Sequence, residues 1–132
     1  MRKNRWWAKA LLSVSLASFW SVSLAKTTRQ DIQTSEQIGV ASYYSDKFQG
    51  KLSASGGVYD VNGLTAAHAN LPFGTTLLVT NVKNQRSVTV RITERPAKSN
   101  HRLLDLSKRA AQELGMIRDG IAKVKIEILE MG

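Results

Sequence analysis

The sequence predicts a mainly β fold: a compact barrel of short strands with one short helix. Residues 87–93 alternate Val88, Val90 and Ile92 with Ser87, Thr89, Arg91 and Thr93, the period of two expected of a half-buried strand. Residues 122–130 repeat the pattern, setting Val124, Ile126 and Ile128 against Lys123, Lys125 and Glu127. Turn residues separate the apolar stretches at short intervals, and a single segment has the signals of a helix.

Taken in order, residues 38–44 read as the first strand, ended by Ser45-Asp46. Ser55-Gly56-Gly57 is a loop. Residues 64–68 form a short strand, followed by a turn at Leu71-Pro72-Phe73-Gly74, where proline fixes φ and glycine admits conformations other residues avoid. Residues 75–82 are a strand, and 83–86 make a hairpin-like turn into the strand at 87–93. The helix spans 108–114: Ser107 supplies the N-cap, Ala110, Ala111 and Leu114 the buried stripe, and Gly115 the stop. Residues 122–130 complete the barrel. Strand pattern alone leaves the kind of barrel open.

The 132 residues suffice for one domain. Residues 1–9 carry Arg2, Lys3, Arg5 and Lys9 and no acid, and residues 10–24 are apolar and serine-rich. Ser23-Leu24-Ala25 then sets small residues where a signal peptidase reads, so 1–25 reads as a secretory signal. The apolar stretch falls short of the ~20 residues a membrane span needs, and no stable span is expected after processing. Residues 26–37 are polar and read as a flexible tether, leaving 38–132 as the folded domain. With no cysteine, disulfides, thiolate metal sites and lipid attachment are excluded, so the chain is not read as a lipoprotein. The net charge of +9 falls to +5 once the four basic residues of the leader are removed. Nucleic acid is not the expected partner, because the chain is exported and its basic residues are scattered. They form either a solvated surface or one attracted to an anionic envelope polymer. No metal or other cofactor is expected: His68 and His101 are the only histidines, and no ligand-spacing motif joins them.

Four segments carry more specific information. They are Gly39-Val40-Ala41-Ser42-Tyr43-Tyr44; Leu64-Thr65-Ala66-Ala67-His68 with Leu71-Pro72-Phe73-Gly74-Thr75; Val79-Thr80-Asn81 with Arg86-Ser87-Val88; and Leu104-Asp105-Leu106-Ser107 with Ala110-Ala111 and Leu114-Gly115. In this order and spacing the chain resembles the rare lipoprotein A (RlpA)-like double-psi β-barrel family over nearly all of its presumed mature domain. The resemblance implies a six-stranded double-psi β-barrel with a groove across one face. It also implies a lytic transglycosylase that cuts the MurNAc–GlcNAc bond of peptidoglycan glycan strands and leaves a 1,6-anhydro end. The implied setting is the cell envelope, periplasmic or secreted, with a monomer expected. Such chemistry can run on one carboxyl group acting as acid and then base, whereas most hydrolases of this bond use two.

The family site resembles a Glu in a Ser-Gly-Glu loop, the His of a Thr-Ala-Ala-His strand, and the Asp of an Asn-Asp-Arg-Gly-Pro loop. Here the positions hold Gly57, His68 and Glu94, with Pro96-Ala97 after the acid and its arginine. Glu94, His68 and Asp105 are therefore the candidate catalytic residues. If the strand's alternation continued, Glu94 would share the apolar face of Val88, Val90 and Ile92, where desolvation favours the neutral acid; alternatively it pairs with Arg95 or Arg102 in a loop. His68 either bonds Glu94 or a sugar hydroxyl, or ties a loop to the backbone. Asp105 either orients His68 or Arg95 across the groove, or caps the backbone before the helix. Tyr43, Tyr44, Phe48 and Tyr59 are candidates for stacking on sugar faces, with barrel core as the alternative. Arg91, Arg95 and Lys98 are candidates for meeting lactyl or stem-peptide carboxylates, with a solvated rim as the alternative. The competing function is a glycan-binding or wall-loosening module that kept the groove and lost the chemistry.

Overall fold

The computed structural model describes residues 36–44 and 46–132. The secretory signal expected over 1–25 and residues 26–35 of the expected tether lie outside the described residues. The strands are β1 (Glu36–Tyr43), β2 (Thr65–Ala67), β3 (Thr76–Asn81), β4 (Ser87–Glu94), β5 (Leu104–Leu106) and β6 (Ala122–Glu130). One helix, α1 (Lys108–Glu113), and a 3-10 turn at Asp46–Phe48 complete the elements. The six strands close into a barrel in the order β1-β5-β2-β4-β3-β6. Two pairs, β1 with β5 and β2 with β4, are parallel; the others are antiparallel.

The long strands follow the alternation read from the sequence. Val88, Val90 and Ile92 of β4, Leu77 and Val79 of β3, and Val124 and Ile126 of β6 point inward and are almost fully enclosed. Truncating one of them, such as Ile92 to Ala, should cost about 2–5 kcal/mol. Three of the strand alanines, Ala41, Ala66 and Ala67, have no exposed surface. Close approach also explains Gly39: a Cβ there would sit 2.8 Å from the Leu103 Cβ.

The expected element ends shift by up to two residues, and one strand, β5, is not among those expected. β1 begins at Glu36, two residues inside the expected tether, because Glu36 and Gln37 pair with Glu127 and Ile126 of β6. β5 escaped the periodicity argument altogether: its three residues are all buried, so no inside–outside alternation marks it.

The helix forms where expected and is held at both ends. Ser107 Oγ accepts the Ala110 N–H at 3.2 Å as N-cap and donates to the Gly63 carbonyl at 2.7 Å, fastening the helix to the approach to β2. At the other end Gly115 takes φ of 66°, a left-handed conformation suited to glycine. The Leu114 carbonyl accepts amide protons from Asn81 and Asn84, both at 2.9 Å. This satisfies a carbonyl that a helix end leaves without an intrahelical partner.

Candidate active site

At one point of the barrel, register places four residues in a row across neighbouring strands. Ser42 of β1 pairs with Asp105 of β5, Asp105 with Ala67 of β2, and Ala67 with Glu94 of β4. Two carboxylates thus flank a methyl group, on strands that lie roughly 10 Å apart. Ser42, Asp105 and Glu94 line a groove of about 580 Å³.

Glu94 reaches this place through an irregularity. Ala66 pairs with Ile92 but Ala67 pairs with Glu94, so Thr93 is an extra residue in β4. Such a bulge ends the regular alternation and re-aims the side chain beside it. The expected continuation of the apolar face therefore stops at Ile92; Thr93 and Glu94 are both half-buried, and Glu94 sits at the mouth of the barrel. Its Oε1 accepts the backbone N–H of Ala54 at 3.0 Å. That N–H belongs to a small hairpin closed by the bridge between Leu52 and Val58, which is also tied to β4 through the Ser55 N–H and the Thr93 carbonyl at 3.0 Å. Neither Arg95 nor Arg102 forms an ion pair with Glu94.

Asp105 has a different environment. Its Oδ1 accepts from the Ser42 hydroxyl, and its Oδ2 accepts from Asn100 Nδ2 at 2.6 Å. Asn100 lies in the segment between β4 and β5, so this carboxylate fixes the wall that carries Arg95, Pro96 and Arg102. It neither caps the helix, a role taken by Ser107, nor bonds His68 or Arg95, both of which were expected alternatives.

His68 follows β2 and is buried. Its Nδ1 accepts the backbone N–H groups of Asn70 and Leu71 at 3.2 and 3.1 Å, which requires an unprotonated Nδ1. Burial, and then the charge of Arg95, hold its pKa below the usual histidine range. The ring therefore secures the turn at residues 68–71, the loop-tying alternative, and does not line the groove. Its backbone joins the site instead: the N–H donates to the Glu94 carbonyl at 3.2 Å and the carbonyl accepts from Arg95 at 3.0 Å. Arg95 lines the groove with its guanidinium 4.1 Å above the Phe73 ring centre.

The aromatic residues divide. Tyr44, Phe48 and Tyr59 form an edge-to-face cluster with ring centres 6.0 and 5.5 Å from Tyr44, and all three line the groove. The Tyr44 hydroxyl is enclosed and without a hydrogen-bond partner among the described residues. Burial, followed by the charges of Glu94 and Asp105, holds the Tyr44 hydroxyl far above the usual tyrosine range. Burial also raises Tyr59. Tyr43 borders the groove but packs partly against the core and donates to the Ile117 carbonyl at 3.2 Å.

Not every expected residue converges here. Arg91 projects from the outer face of β4 into a second depression of about 410 Å³, beside Phe73, Gly74 and Thr93. Gly57 faces that same depression, and Tyr59 borders both. Lys98 is exposed outside both linings. Sequence reasoning missed Ser42 and Asn100, the partners of Asp105. Ser42 lies in the Gly39–Tyr44 motif, but only the parallel pairing of β1 with β5 reveals its partner. Among the described residues no cluster of three or more His, Cys, Asp or Glu suitable for a metal ion occurs.

A family model described as lytic transglycolase matches residues 36–126, from the first residue of β1 into β6. The chain belongs to the lytic transglycolase family. It is 41% identical over 110 residues to the endolytic peptidoglycan transglycosylase RlpA of Pasteurella multocida, covering 83% of this chain and 37% of that protein. The RlpA proteins of Campylobacter jejuni and Haemophilus influenzae are 47% and 50% identical over 94 and 93 residues, covering 71% and 70% of this chain and 34% and 32% of theirs. The chain thus spans about a third of the length of these curated relatives. Among solved structures, Streptomyces papain inhibitor superposes with a TM-score of 0.59 at 19% identity, over 74% of this chain and 96% of that one. The apo expansin of Clavibacter michiganensis does so with 0.58 at 21%, over 72% and 50%. These two likenesses concern the fold alone. The lytic transglycolase fold predicted from sequence, a six-stranded double-psi β-barrel with one short helix, is the fold observed.

Proposed function

We propose that the chain is a peptidoglycan lytic transglycosylase that cleaves MurNAc–GlcNAc bonds, with Glu94 as its acid and base. The observation that carries the reading is the Glu94 carboxyl at the bulged end of β4. It lines an aromatic groove, one oxygen held by the Ala54 N–H and the other without a hydrogen bond among the described residues. In the reaction Glu94 gives its proton to the glycosidic oxygen as the bond to muramyl C1 breaks. The muramyl C6 hydroxyl then bonds to C1 and returns its proton to Glu94, closing the 1,6-anhydro ring. Because the nucleophile belongs to the same sugar, the entropic cost of bringing a second reactant is avoided. Tyr44, Phe48 and Tyr59 offer ring faces and edges to pyranose rings. Asp105, held by Ser42 and Asn100, shapes the wall opposite. The names of the relatives support this substrate. The leader read over residues 1–25 would place the protein in the cell envelope, periplasmic or secreted and free of a lipid anchor. We take it as a monomer.

One observation favours a second reading. Gly57 stands where the family site holds a glutamate, so Glu94 has no second carboxylate from the hairpin, and the chain would then bind strands without cutting them. Digestion of purified peptidoglycan, and of peptide-stripped strands, by the chain and by Glu94→Gln separates the two. Anhydro-muramyl ends seen by mass spectrometry with the wild type and absent with the variant establish the enzyme. Retention of strands without cleavage by the folded wild type establishes the binding module.

A further inference from the structure

The groove carries more positive charge than a neutral polysaccharide requires. Lys47, Lys51, Arg95 and Arg102 line it, against the carboxylates of Glu94 and Asp105. Asp105 has a donor on each oxygen, and Glu94 has a donor on one. The nearby Asp46 is committed to Lys108 at 2.7 Å. Ion pairs among the described residues join Lys83 to Asp119, Lys108 to Asp46, Arg109 to Glu113 and Lys125 to Glu127; none includes Lys51, Arg95 or Arg102. Arg95 is fixed by the Phe73 ring and the His68 carbonyl. Lys51 lies 5.6 Å from the Phe48 ring centre, so its ammonium sits beside the aromatic surface proposed for sugar rings. Arg102 is exposed on the wall pinned through Asn100; its backbone N–H donates to Asn100 Oδ1 at 2.9 Å, and its guanidinium makes no hydrogen bond among the described residues. Like charges gathered on a concave, partly apolar surface focus their field into it and draw in anions.

We infer that Lys51 and Arg102, from two different segments bordering the groove, bind carboxylates carried by the glycan strand, so that the site selects a carboxylated strand over a neutral one. This rests on the glycan-groove reading above and specifies which part of the strand is recognised. Two sources share the chemistry: the lactyl carboxylate freed on peptide-stripped strands, and the carboxylates of stem peptides.

The test measures binding and not cleavage, so it holds whether or not the chain is an enzyme. Glu94→Gln protein is titrated with peptide-stripped strands, with peptide-bearing strands, with each after conversion of its carboxylates to methylamides, and with a neutral N-acetylglucosamine oligomer of matched length. Exposed charge pairs are individually weak, so two together should give roughly a tenfold preference for native over amidated strands. The preference should shrink between about 20 and 300 mM salt as screening tightens. Lys51→Gln/Arg102→Gln should remove it. The charge-matched Arg118→Gln/Lys123→Gln, at exposed positions outside the groove lining, should keep it. Amidation sensitivity of stripped strands assigns the lactyl carboxylate; sensitivity confined to peptide-bearing strands assigns the peptides; either supports the inference. Equal affinity for native and amidated strands of both kinds overturns it while leaving the groove reading intact. Failure to bind any strand overturns both.

Discussion

Tyr44→Phe removes one enclosed oxygen atom from the aromatic cluster that lines the groove and should make the protein more stable. The Tyr44 ring packs edge-on against Tyr59 and Phe48, and phenylalanine retains both contacts. The hydroxyl is enclosed and has no hydrogen-bond partner among the described residues. Burying such a group costs about 1–3 kcal/mol, and its deletion recovers that cost without opening a cavity larger than one atom. Taking the lower end, a gain of about 1 kcal/mol raises the melting temperature of a domain this size by roughly 5 °C. Calorimetry of both proteins at pH 7 reads it directly. A second signature follows from linkage. The folded-state pKa of Tyr44 is raised above its ordinary 10.0, so the folded chain keeps the proton longer than the unfolded chain. Stability tied to that proton is complete below about pH 10 and declines as pH rises above it. Between pH 9 and 11 the variant should lose less stability than the wild type, with Tyr59 supplying a remaining decline. A melting temperature that stays level or falls, with an unchanged alkaline profile, refutes the argument: the hydroxyl then has a partner worth as much as its burial costs.

Three further outcomes are expected. Asp105→Ala strands the Ser42 hydroxyl and the Asn100 amide, and should cost about 2 kcal/mol, read as a midpoint shift in urea unfolding with unchanged slope. His68 has a depressed folded-state pKa, so its contribution is complete above about pH 6.5 and is lost as pH falls below that value. His68→Asn keeps an acceptor for the turn amides and should flatten the stability profile between pH 7.5 and 5.5, measured by urea titration at each pH. At Gly57 a Cβ would meet only Ser53 Oγ, at 3.7 Å. Gly57→Glu should leave stability within ~0.5 kcal/mol and raise the rate of anhydro-end formation roughly tenfold; no rise would separate the second depression from the chemistry.

Strand alternation made β4 and β6 legible because Ser87 to Ile92 and Lys123 to Glu127 present one wetter and one dry face in turn. The helix was legible because Ser107 and Gly115 do work at its ends that few other residues do. β5 was not, since three consecutive buried residues carry no period. The same limit governs the site. The family motif brings Glu94 to notice, but nothing in the run of residues 90–95 signals that Thr93 is a bulge, because a bulge is defined by the partner strand. His68 likewise stood out as a motif residue. Its ring nitrogen serves the two amides that follow it in the chain, a local role that the motif cannot distinguish from a place in the groove.

The two carboxylates beside Ala67 show how register divides labour between similar groups. Both are within one strand of the same methyl group, yet one receives two side-chain donors and the other a single backbone donor. A carboxylate with both oxygens occupied is a strut: protonating it breaks a bond that holds the groove wall. One with an oxygen to spare can exchange a proton without dismantling its surroundings, provided its remaining support is rigid. The Ala54 N–H meets that condition, because the hairpin bearing it is closed by the Leu52–Val58 bridge and fastened to β4 one residue before Glu94. A mechanism with a single acid that must also serve as the base requires this combination of a fixed position and a spare oxygen. The added methylene of glutamate follows the same logic, since it extends the carboxyl from the strand end toward the hairpin amide that holds it.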